Sequence, residues 1–172
     1  MKPQEMLVAL KLLAYGRKPW NYEDIAQSLG ISPSNLHRSV KALAFAGLFI
    51  EEYKALNNPS LEEFLLHGAK YVFPVKVGGI VRGMLTSHSA PAFANSFNAN
   101  PQDAYVWPDA NSKDKGFSVA PIYKTAPEAS RLDPKLYELL ACLDALRIGR
   151  AREKNIAEGL LKKSFLNYGK LP

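Results

Sequence analysis

The sequence lacks the cysteine pairs, the clustered histidines and the long apolar runs that are typical of disulfide-linked, metal-binding and membrane-spanning proteins. It contains a single cysteine, Cys142, so no disulfide can form within the chain. Its histidines, His37, His67 and His88, are far apart in sequence, which disfavours a clustered metal site. No apolar run approaches the roughly 18 residues that suggest a membrane span, and the N-terminus lacks a signal-peptide pattern. We therefore expect a cytoplasmic protein without a cofactor.

Motifs that mark common enzyme classes are also missing. Ser87, His88 and Ser89 occur together, but no G-x-S-x-G nucleophile elbow accompanies them. The glycine-rich run at residues 78–83 lacks both the Lys-Ser/Thr of a phosphate-binding loop and the spacing of a dinucleotide fingerprint. Cys142 lies among leucines and is expected to pack in the core. We therefore do not expect catalytic activity.

Negative charge is scarce in one part of the chain. The net charge is +6, and no Asp or Glu occurs between Asp24 and Glu51. A moderate basic excess is compatible with nucleic-acid binding, although charge by itself does not specify a fold. The chain of 172 residues, 47% of them hydrophobic, is long enough to bury a core.

Residues 25–48 have the pattern of two short helices joined by a tight turn. The first helix has apolar residues with helical spacing: Ile25, Ala26 and Leu29. Gly30 suits the left-handed conformation that ends a helix. Ser32 can accept a hydrogen bond at the start of the next helix, and Pro33 fits its first turn. The pattern predicts a second helix over residues 33–46.

This second helix is amphipathic. Its buried stripe is expected to contain Leu36, Val40 and Leu43, which recur at offsets of four and three. The remaining side chains are polar or basic, and a donor-rich face without acids suits a polyanion. The candidate DNA-binding residues are Ser32, Ser34, Asn35, His37, Arg38 and Lys41. The alternative is a solvated helix that merely covers a small bundle.

Residues 5–53 resemble the winged helix-turn-helix regulators of bacterial transcription, of the MarR-like kind. The match lies in Ile-Ala, Leu-Gly-Ile-Ser, and then Leu, Val and Leu before Ala-Gly-Leu. The resemblance implies a regulator that binds double-stranded DNA, usually as a homodimer. The resemblance says little about the rest of the chain. We expect a DNA-binding domain at residues 1–77 and, at residues 78–172, an extension for dimerisation or for binding a partner or effector.

The segments around this motif give further predictions. An amphipathic helix is expected over residues 3–15, behind the motif. Alternation in residues 48–53 predicts the first strand of a wing. Ser60 and Glu63 have the spacing of a capping box, which predicts a short helix next, so a returning strand is expected only at residues 70–77.

Residues 78–172 are expected to form a mixed extension of short strands ending in a helical hairpin, which makes the chain α+β. Strands are predicted at 104–107 and 116–123, joined as a hairpin by a turn that carries Lys113 and Lys115. These lysines are candidate secondary phosphate contacts, although lysines in such turns more often only solvate the turn.

Two helices are predicted at the C-terminus. Asp133 and Pro134 open a leucine-rich helix that ends before Gly149, and a second helix is expected over residues 151–166. We expect this pair to mediate homodimerisation, unless its apolar faces are covered within the chain. Arg150 and Arg152 lie between the helices and are further candidate phosphate contacts, unless they only stabilise a helix C-terminus.

Two other functions fit the same sequence. In one, residues 55–172 bind a partner protein encoded nearby, as in an antitoxin or adaptor, and the N-terminal domain only autoregulates its own promoter. In the other, aromatic residues of the segment 70–130 line a small-molecule pocket, although such residues more often form a satellite core. The aromatic residues are Tyr71, Phe93, Phe97, Tyr105 and Trp107.

Overall fold

The computed structural model describes residues 1–96 and 101–169, and its fold is α+β, with mostly helical structure and two small sheets. The helices are α1 (Pro3–Tyr15), α2 (Tyr22–Leu29), α3 (Pro33–Phe45), α4 (Asn58–Glu63), α5 (Ala69–Val72), α6 (Ala126–Leu132), α7 (Pro134–Ile148) and α8 (Ala151–Tyr168). The strands are β1 (Phe49–Ile50), β2 (Ala55–Leu56), β3 (Ile80–Thr86), β4 (Tyr105–Pro108) and β5 (Lys115–Ser118). No helix among the described residues has both the length and the apolar character needed to cross a membrane.

Local signals set the ends of the N-terminal helices. The Asn21 side chain accepts a hydrogen bond from the backbone N–H of Asp24 at 2.8 Å and so begins α2. Gly30 ends α2 with φ of +62°, in the left-handed region. Ser32 Oγ accepts from the backbone N–H of Asn35 at 3.2 Å and begins α3. The predicted end of the first helix at Gly30 and the predicted start of the second at Pro33 are therefore confirmed, whereas α3 ends at Phe45, one residue before the predicted end.

The strand predicted after α3 is only two residues long, and its partner returns at once. The chain turns within residues 51–54, where Lys54 has φ of +48° and donates its backbone N–H to the Glu51 carbonyl at 3.1 Å. Ala55 and Leu56 are both buried, so burial fixes the return of the chain there. The prediction of a returning strand at residues 70–77 is wrong, since that stretch is α5 followed by irregular chain.

The helical stretch after this hairpin starts earlier than predicted. It begins at Asn58 with Pro59 in its first turn, continues through a π-helical stretch (Phe64–Gly68), and ends with α5. Ser60 therefore lies inside α4 and is not its N-cap, so the predicted capping box with Glu63 does not start the helix. Pro59 is tolerated at this position because the first turn needs no N–H donor there.

A closed three-stranded sheet follows, and the sequence predicted only part of it. β3 pairs antiparallel with β5 through residues 80–82 and antiparallel with β4 through residues 83–86. β4 and β5 pair in parallel, so the predicted hairpin between them is wrong. Because β4 and β5 run in the same direction, residues 109–114 form a crossover connection between them and not a hairpin turn. The second predicted strand ends at Ser118, three residues before Pro121.

Helix α7 is at the centre of the fold. It packs against α1, α6 and α8, and its side chains are buried around most of the helix. The Asp133 carboxylate begins α7 and also accepts a hydrogen bond from Lys11 Nζ of α1 at 2.7 Å. The apolar surface predicted for dimerisation is, for α7, covered within the chain. One cluster of buried side chains includes residues on both sides of position 77, and the division into two domains remains a prediction.

A buried carboxylate joins the three-stranded sheet to α7. Asp144 is 1% exposed and accepts hydrogen bonds from Thr86 Oγ1 at 2.7 Å, from Trp107 Nε1 at 2.6 Å and from Arg147 Nη1 at 2.7 Å. Burial raises the pKa of Asp144, whereas Arg147 and the other donors favour its ionised form and oppose that shift. Arg147 Nε also donates to the Phe73 carbonyl at 2.8 Å, so this network includes the chain between α5 and β3.

Candidate nucleic-acid interface

Helix α3 has one apolar and one polar face. Leu36, Val40 and Leu43 are buried, as predicted. The opposite face is exposed at Ser34, His37, Arg38 and Lys41, while Asn35 is half-buried; Ser32, before the helix, is also exposed. The structure thus brings all six predicted DNA-binding residues onto or directly before one helix, and the two-sided pattern is confirmed.

Contacts from other parts of the chain hold α3 from behind. Gln4 Nε2, in the first turn of α1, donates to the Asn35 carbonyl at 3.3 Å and to Ser39 Oγ at 2.9 Å. Gln4 Oε1 in turn accepts a hydrogen bond from Tyr123 Oη at 2.9 Å. Ser39 is buried, and no sequence signal distinguished it from the other polar residues of α3. These contacts fix the orientation of α3 relative to α1 and to the segment before α6.

Several side chains of the exposed face already have local partners. The Arg38 guanidinium donates to Asn35 Oδ1 within the first turns of α3. The His37 ring stacks on Tyr22 of α2, with ring centroids 4.9 Å apart and planes inclined by 29°. Neither Arg38 nor Lys41 takes part in an ion pair among the residues that the structure describes. The positive charge of this face is therefore available to an external anion.

Phe45 extends the same face and was missed in the sequence analysis. It is 97% exposed and follows Lys41 by four positions and Arg38 by seven, which places it along the same side of the helix. The sequence did contain a signal for its exposure. Phe45 falls outside the helical spacing of Leu36, Val40 and Leu43, which predicts that it lies away from the buried stripe. A large exposed apolar side chain on a basic helix face can contact a thymine methyl group or another protein.

The hairpin after α3 differs from a basic wing. Glu51 and Glu52 are exposed in its turn and give the tip negative charge. Its lysine, Lys54, donates to the Trp20 carbonyl at 2.8 Å and lies 4.4 Å from the centre of the Trp20 ring. Trp20 is itself half-buried, and its ring meets Phe49 edge-on at 6.4 Å. The tip therefore repels a phosphate, while its cation is used to fix the hairpin to Trp20.

The predicted secondary phosphate contacts lie on other elements. Lys113, Lys115, Arg150 and Arg152 are all exposed. Lys113 and Lys115 lie just before and at the start of β5, while Arg150 and Arg152 lie just before and within the first turn of α8. The principal packing partners of α3 are α1, α2 and β1, none of which carries these four residues. Their role in binding DNA remains a prediction.

The aromatic residues proposed for a small-molecule pocket have other surroundings. Phe93 and Trp107 are buried in the core, Tyr71 is exposed, and Tyr105 meets the His88 ring edge-on at 5.1 Å. Phe97 lies outside the described residues. A cleft of about 440 Å³ exists elsewhere, between the end of α1 and helices α7 and α8. Its rim carries Arg17, Lys18, Lys135 and Lys163.

The Ser-His-Ser segment is packed inside the protein. Ser87 is buried with φ of +52°, and Ser89 Oγ accepts a hydrogen bond from the Tyr105 backbone N–H at 3.0 Å. Burial lowers the pKa of His88, an effect that Glu153 and then Asp103 oppose. These contacts connect the segment to β4.

The single cysteine, Cys142, is buried in α7, and burial raises the pKa of its thiol.

Metal binding has no assembled site in the described part of the chain. There, no group of three or more His, Cys, Asp and Glu residues is arranged to hold a metal ion. The outward face of α3 is therefore the best-defined candidate site. No protein family, no curated protein and no solved structure matches this chain.

Proposed function

We propose that this protein is a winged-helix transcriptional regulator that binds double-stranded DNA by inserting α3 into the major groove. The observation that carries the proposal is the exposed face of α3, which is basic and free of acidic residues over the whole helix (Pro33–Phe45). Capping by Ser32 and support from Gln4 fix this face before any ligand binds. A pre-oriented helix of this length fits the major groove.

The residues of α3 take different roles according to their position. Arg38 and His37 lie in the first turns of the helix, from which a recognition helix reaches base edges, and Ser34 and Asn35 lie beside them. Lys41, one turn later, is placed to meet a phosphate. The N-terminus of α3 near Ser32 adds a partial positive charge for a second phosphate, although Pro33 has no N–H and the Asn35 N–H is already bound by Ser32 Oγ. The hydrogen bond from Arg38 to Asn35 already restricts the Arg38 side chain in the free protein, so less conformational entropy is lost when Arg38 binds DNA.

The acidic turn of the β1–β2 hairpin changes the usual role of a wing. Because Glu51 and Glu52 face solvent there, we infer that the hairpin stays away from the DNA backbone and serves to hold Trp20. Base and phosphate contacts then fall mainly on α3. Lys113, Lys115, Arg150 and Arg152 are proposed as secondary contacts, to be tested by their effect on salt dependence.

We also propose that the protein binds as a homodimer. Two copies of α3 related by a two-fold axis would read half-sites about 34 Å apart. Since α7 is covered within the chain, the dimer contact must use another surface.

The test begins with selection of bound duplexes from a random-sequence library, followed by affinity measurements on the selected site and on random duplex. Arg38→Ala should weaken binding to the selected site by about 1 to 3 kcal/mol and relax the preference at one base pair. The exposed Lys162 of α8 provides the control, because Lys162→Ala should leave both affinities unchanged. Equal losses on selected and random duplex for Arg38→Ala would contradict base readout by this residue.

A further inference from the structure

The first half of β3 is exposed, although the second half is buried. Ile80 is 65% exposed and Val81 36% exposed, whereas Gly83 and Thr86 are buried. Successive side chains of a strand point to opposite faces of the sheet. Exposure of both Ile80 and Val81 therefore leaves aliphatic surface uncovered on both faces of the strand. Val77, just before the strand, is also exposed.

Pairing with β5 gives one of these faces a mixed character. Ile80 lies opposite Phe117, and Arg82 lies opposite Lys115. Residues directly opposite each other in an antiparallel pair have neighbouring side chains on the same face. We call this surface the Ile80 face, and it consists of Ile80, Arg82, Lys115 and Phe117. An apolar pair thus lies beside a pair of cations.

The cation pair is unfavourable in the free protein. Like charges directly opposite each other across two strands destabilise the sheet. Asp109 is a backbone partner of Arg82, since its N–H donates to the Arg82 carbonyl at 3.0 Å, but its carboxylate is bound by Arg131. Asp114, the acidic neighbour of Lys115, forms no ion pair in the described part of the chain.

The sequence around β3 strengthens this positive bias. Residues 64–102 contain no Asp or Glu, while Lys70, Lys76 and Arg82 are basic. Lys113 and Lys115 are exposed on the β5 side. A carboxylate supplied from outside would relieve the repulsion between Arg82 and Lys115, and the adjacent aliphatic and aromatic side chains would be covered at the same time.

We propose that the Ile80 face binds a partner protein that presents a carboxylate beside an aliphatic side chain. The carboxylate binds between Arg82 and Lys115, where an arginine can donate two hydrogen bonds to it. The aliphatic side chain packs on Ile80 and Phe117. A nucleic acid would satisfy the cations and leave Ile80 exposed beside the half-buried Phe117. A second copy of this chain in a two-fold contact would bring like charges together.

This proposal is independent of DNA binding by α3. It assigns a surface to the partner-binding function that the sequence left open for residues 55–172. A protein that binds DNA and no partner would contradict only this proposal, and a protein that binds a partner and no DNA would contradict only the previous one.

The partner is identified by photo-crosslinking in cells of the organism whose genome encodes the protein. A photoreactive benzoylphenylalanine replaces the exposed Val77, next to the Ile80 face, and in a control replaces Leu166 of α8, which is more exposed than Val77. The expected result is a discrete adduct with an acidic protein from position 77 and its absence from position 166. The proposal is overturned if position 77 yields only nucleic acid, lipid, a second copy of this chain, or the same proteins as position 166.

Affinity measurements with the purified partner then test the chemistry. Lys115→Glu places a carboxylate opposite Arg82, so this variant should unfold at the same or a higher temperature than the unmodified protein. Its affinity for the partner should nevertheless fall about tenfold or more, because a buried charge pair is reversed. Ile80→Ser should also weaken the complex, and Leu166→Ser should not. Unchanged affinity of the Lys115→Glu variant, or equal loss with Leu166→Ser, would refute the proposed contact.

Discussion

The outward face of α3 and the Ile80 face are both basic, but they are built in different ways. The α3 face consists of neighbours along one helix, with polar side chains between the cations and an apolar stripe buried behind them. The Ile80 face combines side chains from two strands more than 30 positions apart, and it leaves aliphatic carbon in water beside paired cations. The difference indicates that one face suits a uniform polyanion and the other suits a mixed protein surface.

The largest effect on stability is expected from Asp144, whose carboxylate links the three-stranded sheet to α7 by hydrogen bonds. Asp144→Asn leaves Arg147 without its counter-charge in a buried site and should lower the free energy of unfolding by about 3 to 5 kcal/mol. Asp114→Asn, at an exposed position, serves as the control and should change stability little. Urea denaturation gives both values. A loss below about 1 kcal/mol for Asp144→Asn would show that the network does not hold the sheet in place.

The next effect tests how closely the strands approach each other in this sheet. A Cβ at Gly83 would lie 2.1 Å from the Trp107 carbonyl oxygen, whereas one at Gly79 would have no atom within 4 Å. Gly83→Ala should therefore destabilise the protein by about 1 to 3 kcal/mol. Gly79→Ala should be close to neutral. If thermal unfolding shows equal midpoints for the two variants, the pairing of β3 with β4 described above is incorrect.

A smaller effect is expected at the start of α3. Ser32→Ala removes the acceptor for the Asn35 backbone N–H and should reduce stability by about 1 kcal/mol. Ser34→Ala, two positions later, removes only the exposed contact between the Ser34 and Ser32 hydroxyls at 3.1 Å and leaves the cap in place, so it should change stability less. Hydrogen exchange of the first amides of α3 measures this effect locally. Equal exchange rates in both variants would contradict capping by Ser32.

The same comparison explains which parts of the fold the sequence could predict. The ends of α2 and α3 depend on residues within three positions, such as Asn21 and Ser32, so their signals are local. β3 depends on pairing with β4 and β5, and its burial changes along the strand instead of alternating, so the pattern around the glycines gave no strand signal. β1 and β2 are two residues each, too short to show a period.

The candidate sites followed the same rule. The six residues on or just before α3 could be placed together because helical spacing predicts neighbours. Phe45 could have been found in the same way, from its position off the buried stripe. The pairing of Arg82 with Lys115 depends on the register of β3 against β5, which no local signal determines.

The central claim, that α3 meets DNA, is tested most directly by the salt dependence of binding to the selected duplex. For a homodimer, the slope of log affinity against log salt should be about −0.9 for each phosphate contacted. Lys41→Ala should reduce the magnitude of that slope by roughly two, one contact per subunit, without changing sequence preference. Lys162→Ala should leave the slope unchanged, and the double variant Lys113→Ala with Lys115→Ala shows whether that segment adds contacts. Failure of the unmodified protein to bind any duplex at about 50 mM salt, or an unchanged slope for Lys41→Ala, would contradict the claim.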